Sequence, residues 1–154
     1  MSDNKYENVS ELIHVFQRFA RADWRKKTMW DGLKASEIRL LVSVKQSNDK
    51  GTSGTTVTEL SKILQVTSPT VTQMLNSLIA AECVIRTVDK TDRRITGITL
   101  TEKGNLLATK AIDRFKSIFK GIIDELGKEQ SDQLILMLNQ VFQFLEAANK
   151  SLDE

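Results

Sequence analysis

The sequence predicts a mainly α-helical chain with one small antiparallel β-hairpin (α+β), and three observations lead there. Apolar residues recur at three- and four-residue steps through most of the chain, which is the helical period. The period shortens to about two only near residues 84–88 and 96–100, on either side of a charged loop. Two helix-start signatures, Thr56-x-x-Glu59 and Thr67-Ser68-Pro69, follow each other closely and mark two short consecutive helices.

Bulk properties narrow the function. The 154 residues suit one domain, or a small domain with helical extensions. Apolar residues at 40% are enough for a core, and 27% charged residues with a net charge of +2 describe an ordinary soluble protein. The charge is uneven. Residues 1–32 carry six basic and five acidic side chains (+1), residues 33–104 ten and seven (+3), and residues 105–154 six and eight (−2). The middle segment therefore holds the basic excess, a mild pointer to a polyanion.

Cys83 is the only cysteine, so no intramolecular disulfide forms, and a single His14 excludes most zinc arrangements. The start, MSDNKYEN, does not resemble a signal peptide, and no apolar run approaches a membrane span. A cytoplasmic protein without a membrane partner or cofactor is expected. No nucleophile elbow, phosphate loop or His/Cys cluster is present, so no enzyme is expected.

In chain order, residues 9–27 read as a helix, with Leu12, Ile13, Phe16, Phe19, Ala20 and Trp24 on its apolar side. Ser10 is its expected start and Arg25, Lys26 and Lys27 its basic end. Residues 28–33 form a connector containing Gly32. Residues 35–47 form a second helix, with Ile38, Leu40, Leu41, Val42 and Val44 broadening its stripe to two buried sides. The stretch 47–56 reads as a polar, glycine-bearing loop.

Thr56 then starts a third helix in a capping box: its oxygen accepts from an amide three residues on, and Glu59 reaches back. Val57, Leu60, Ile63 and Leu64 supply the buried face. After a turn at Gln65-Val66-Thr67, a fourth helix begins at Thr67 or Ser68, with Pro69 in its first turn. Val71, Met74, Leu75 and Leu78 face the core, which leaves Thr70, Thr72, Gln73, Asn76 and Ser77 outward. Two short helices joined by a tight turn make a helix-turn-helix.

Val84–Val88 and Thr96–Leu100 complete an antiparallel hairpin, or wing. Thr101 caps a long helix over 102–125, lined by Leu107, Ala111, Phe115, Ile118, Phe119, Ile122 and Leu126; Gly127 ends it. A last helix spans about 128–149, with Leu134, Met137, Leu138, Val141, Phe142, Leu145 and Ala148 in a near-heptad pattern. A central domain of this size does not cover such apolar terminal helices, so a helical dimer interface is expected.

Asp89-x-x-Asp92-Arg93-Arg94 followed by Leu100-Thr101-x-x-Gly104 resembles the wing signature of the MarR transcriptional regulators. Leu33 with the helix after it, Thr56-Val57-Thr58-Glu59-Leu60, and Val71-Thr72 also fall where that family's pattern expects them. The resemblance runs in order through essentially the whole chain. It implies a winged helix-turn-helix with long N- and C-terminal dimerisation helices. It implies a homodimeric DNA-binding regulator, usually a repressor, released from DNA by a small aromatic or anionic ligand. The corresponding division is 1–33 and 102–154 for dimerisation, and 34–101 for DNA binding.

In that arrangement the outward side chains Ser68, Thr70, Thr72, Gln73, Asn76 and Ser77 meet bases or phosphates in the major groove. Gln73 and Asn76 suit adenine, and the hydroxyls suit bases or phosphate. Relatives often carry arginines near positions 73 and 77, and this chain has none on the helix. The wing supplies the cations Arg86, Lys90, Arg93 and Arg94, with Asp92 bracing an arginine or the loop backbone. Arg94 matches the family's groove-entering arginine, and an arginine at a loop tip suits a narrow A·T-rich minor groove. The partner is then double-stranded DNA, in an inverted-repeat operator read by a homodimer. Trp24 and Trp30 are candidates to line a ligand cleft, against the simpler reading of core packing. Cys83 reads as a small buried thiol, and His14 as a surface or dimer-interface residue. Gln65 stands where the family often has a turn glycine, which makes a left-handed backbone there costlier. The competing reading is a winged-helix protein-interaction adaptor that binds no DNA, which the neutral fourth helix keeps open.

Overall fold

A computed structural model of the chain describes residues 4–22, 32–49, 54–88, 92 and 96–152. In order it contains α1 (Val9–Arg21), α2 (Ala35–Asp49), α3 (Val57–Leu64), α4 (Ser68–Ala80), β1 (Val84–Val88), β2 (Thr96–Leu100), α5 (Glu102–Leu126) and α6 (Lys128–Leu152). The mainly α architecture with one antiparallel hairpin is the one the sequence predicts. Trp24, Trp30 and the basic run Arg25–Lys27 lie outside the described residues.

Helix ends follow local chemistry. Thr56, Thr67 and Thr101 each accept a hydrogen bond from the amide three residues on, at 3.1, 3.3 and 3.1 Å. Each satisfies one of the orphan donors of a helix start, a contribution of about 1 kcal/mol. Pro69 lies in the first turn of α4, where its missing amide hydrogen costs nothing. At the start of α1 the expectation is corrected. The N-cap is Asn8 and Ser10 lies inside the first turn, because a turn closed by Val9 N–H to Tyr6 O leads straight into the helix. α1 ends at Arg21, where Ala22 adopts an extended backbone; residues 23–27 of the expected helix lie outside the described residues.

The core belongs to the middle of the chain. Leu40, Leu41 and Val44 of α2, Leu60 of α3, and Val71, Leu75 and Leu78 of α4 are fully buried together with Ile98 of β2. Leu33 and, from the first two turns of α5, Leu107 and Ala108 close the same cluster. Ile63 is an exception to the predicted buried face: it is 53% exposed. Val57, Leu60 and Leu64 share one side of α3, and at 3.6 residues per turn Ile63 falls roughly a quarter-turn away.

The hairpin pairs Val84 with Leu100, Arg86 with Ile98 and Val88 with Thr96. Its alternation is incomplete. Val84 is buried, but Ile85, Arg86 and Val88 are exposed, because β1 leaves the body of the domain after its first residue. A third short pairing joins the sheet from the stretch read as a plain loop. Thr55 is fully buried and exchanges two backbone hydrogen bonds with Ile98, at 3.1 and 2.7 Å. Gly54 makes that approach feasible, with φ at +127° and a Cβ position only 2.9 Å from Gly97 Cα.

The outer helices differ from this core. No residue of α1 is buried, and in α6 only Ser131 is. Beyond Ala111 and Ile112, α5 is exposed to its last turn. In α6 the half-buried positions Leu134, Val141 and Ala148 are seven residues apart, a single heptad seam, while Met137, Leu138, Phe142, Phe144 and Leu145 are exposed.

Candidate nucleic-acid interface

α4 presents the predicted polar face. Val71, Leu75 and Leu78 bury one side, and Met74 packs against them half-buried. Helical geometry then puts Pro69, Gln73, Asn76 and Ala80 on the ridge opposite the core. Ser68, Thr70, Gln73, Asn76 and Ser77 are all exposed, and Thr72 on the flank is half-buried. No charged side chain occurs between Thr67 and Ala81. Thr70 is not a free hydroxyl: its Oγ1 lies 2.8 Å from Thr67 Oγ1, so it helps fix the helix start.

The turn before α4 is tight because Gln65 adopts a left-handed backbone, φ 54° and ψ 45°. That conformation costs a non-glycine residue about 1–2 kcal/mol. Ser61 secures it by donating to Val66 O at 2.6 Å. The angle between α3 and α4 is therefore held by a strained residue with a specific clamp.

The far end of α4 is fastened to the start of α5. Thr101 donates from Oγ1 to Glu82 O at 2.6 Å and from its amide to Cys83 O at 3.0 Å. Lys103 Nζ donates to Ala81 O at 3.0 Å. Gly104 sits so close that a Cβ there would lie 1.9 Å from Cys83 O. The chain thus passes through Ala81–Cys83, with Glu82 at φ 60°, under the first turn of α5. These contacts give a physical reason for Thr101 and Gly104 of the wing signature. Sequence reading placed Thr101 as a cap and in the wing signature and did not find Lys103, whose carbonyl partner lies 22 residues earlier in the chain. Cys83 is fully buried at this junction, as expected of a small core thiol.

The hairpin leaves the same junction. Arg86 is exposed on β1, and Asp92, near the tip, is half-buried. Lys90, Arg93 and Arg94 lie outside the described residues. The outward residues of α4 and Arg86 therefore stand on two elements joined through the anchored segment 81–83. His14 is exposed on α1. No described helix is long and apolar enough to cross a membrane.

Residues 31–95 match the model of the MarR family. No curated protein is significantly similar to the chain. Among solved structures, it resembles Streptococcus pneumoniae FabT in complex with DNA at 25% identity and a TM-score of 0.70, over 92% of this chain and 98% of that one. It resembles the Staphylococcus aureus MepR–DNA complex at 22% identity and a TM-score of 0.67, over 92% and 99%. A point mutant of Staphylococcus aureus MepR gives 23% identity and 0.70, over 88% and 97%.

Proposed function

We propose, from the match of residues 31–95 to the MarR family model, that this chain is a transcriptional regulator that binds double-stranded DNA as a homodimer. The observation that carries the reading is the joined pair of surfaces. An exposed, neutral, hydrogen-bonding helix and an exposed hairpin bearing Arg86 emerge from one anchored segment. α4 enters the major groove with Ser68, Thr70, Thr72, Gln73, Asn76 and Ser77 toward the bases and backbone. The hairpin lies along the neighbouring minor groove with Arg86, Lys90, Arg93 and Arg94, and Asp92 braces its tip. FabT, which this chain resembles at 25% identity, is solved in complex with DNA, and this supports DNA as the partner.

Two finer points belong to the same proposal. The dimer is formed by residues 1–33 and 102–154; among their described residues, α1, the later turns of α5 and most of α6 leave apolar side chains exposed. Repression by occupancy of an inverted-repeat operator follows the family's usual mode. So does release by a small aromatic or anionic ligand between residues 34–101 and the dimer helices, with Trp24 and Trp30 as the lining candidates.

The test is an anisotropy titration against duplex DNA from the region beside the protein's own gene, over a salt series. The expected result is an affinity that falls steeply with salt, reflecting several phosphate contacts per dimer. Arg94→Ala is expected to weaken binding by at least ~1 kcal/mol. Affinity indifferent to salt and to Arg94 would favour the adaptor reading, which the neutral α4 supports, over DNA binding.

A further inference from the structure

The side chains of α4 decide which bases it tells apart, and its inventory is restricted. Guanine is most often read by an arginine or lysine donating to O6 and N7, and cytosine by a carboxylate accepting from N4. α4 has neither kind of group from Thr67 to Ala81. Its outward ridge instead carries two carboxamides, Gln73 and Asn76, both exposed and without a hydrogen-bond partner among the described residues. A carboxamide donates to adenine N7 while accepting from adenine N6. Against guanine the same group sets its oxygen opposite O6, an acceptor facing an acceptor. Thr70 shares its hydroxyl with Thr67, and hydroxyls both donate and accept, so neither it nor Ser68, Thr72 or Ser77 separates adenine from guanine as a carboxamide does.

Spacing adds a second constraint. Three residues along a helix advance about 4.5 Å, against about 3.4 Å per base pair. Gln73 and Asn76 therefore fall on adjacent base pairs or on pairs one apart.

We infer that Gln73 and Asn76 are the principal specificity-determining residues of α4, and that they read two A·T pairs per half-site, adjacent or one apart, with no bidentate guanine contact from this helix. The inference rests on α4 being the groove-entering helix.

The experiment selects duplexes from a pool with a randomised core, using the full-length protein, and titrates the enriched motif by anisotropy. Replacing either A·T pair by G·C is expected to weaken binding about 5- to 150-fold. Replacement by inosine·cytosine, which keeps an A·T-like minor groove but shows a G·C-like major groove, is expected to weaken it equally. Gln73→Ala and Asn76→Ala are each expected to flatten the preference at one of these positions while leaving the salt slope unchanged, because neither side chain displaces counterions. Tolerance of inosine·cytosine would overturn the inference by locating the preference in the minor groove or in DNA shape. So would a required guanine whose preference disappears in either variant, or a motif that neither variant changes. A pool that yields no motif, with binding flat in salt, would overturn the DNA-binding reading as well, and is thereby told apart from a wrong base assignment.

Discussion

The winged-helix core and the terminal helices use the same apolar residue types, yet they stand in opposite states. Leu40, Leu41, Leu60, Leu75 and Leu78 are fully buried by their own chain. Phe19 on α1 and Phe144 on α6 are 70% and 72% exposed, and neighbours such as Leu12, Ile135 and Leu136 are also exposed. The first set closes a unit that one chain completes. The second leaves long helical faces whose burial requires another surface, on a scale above what isolated exposed residues would explain. A helical period records that a face is apolar, and says nothing of whose side chains cover it.

The widest separation between the two regions is expected from charges placed on the outer face. Leu138→Asp with Phe142→Asp, one turn apart on α6, is expected to cost the proposed dimer roughly 3–5 kcal/mol, the scale of an uncompensated buried charge. Sedimentation should then find monomers at micromolar protein, with far-UV dichroism retained by the self-contained core. An unchanged dimer would mean that this face is not the interface.

Within the core, Leu75→Ala is expected to lower stability by about 2–5 kcal/mol through lost burial and a residual cavity. Thermal melts should show that loss at every protein concentration, unlike the outer-face variant. Gly104→Ala tests the junction between the regions. Its new methyl would meet Cys83 O, so a loss of about 1–3 kcal/mol is expected from the enforced backbone shift. A melt unchanged from wild type would show that the contact is not a constraint. The smallest effect is a gain. Gln65→Gly relieves left-handed strain of about 1–2 kcal/mol but adds unfolded-state entropy of about 0.4–1 kcal/mol, for a net stabilisation of about 0.8 kcal/mol. A destabilised variant would point to a role for the Gln65 side chain.

The two regions also differ in what could be read beforehand. Helix starts at Thr56, Thr67 and Thr101 were legible because a cap is a local hydrogen bond written within four residues. The outward set on α4 was legible because three buried residues, Val71, Leu75 and Leu78, define its opposite side. What escaped depends on distant neighbours. Thr55 looked like loop until Gly54 and Gly97 brought its backbone against Ile98. Ile63 and Ile85 carry core-like side chains at positions where the domain surface has already turned away. Lys103 and Gly104 gain their roles from carbonyls 22 and 21 residues earlier, at Ala81 and Cys83. No periodicity encodes such approaches.

The most direct measurement is sedimentation velocity of the protein mixed with a duplex bearing its selected inverted repeat. Two chains of 17.4 kDa each on one duplex, dissociating together as salt is raised, is the expected result. A single chain on the duplex, or free DNA at low salt, would contradict a dimeric DNA-binding regulator.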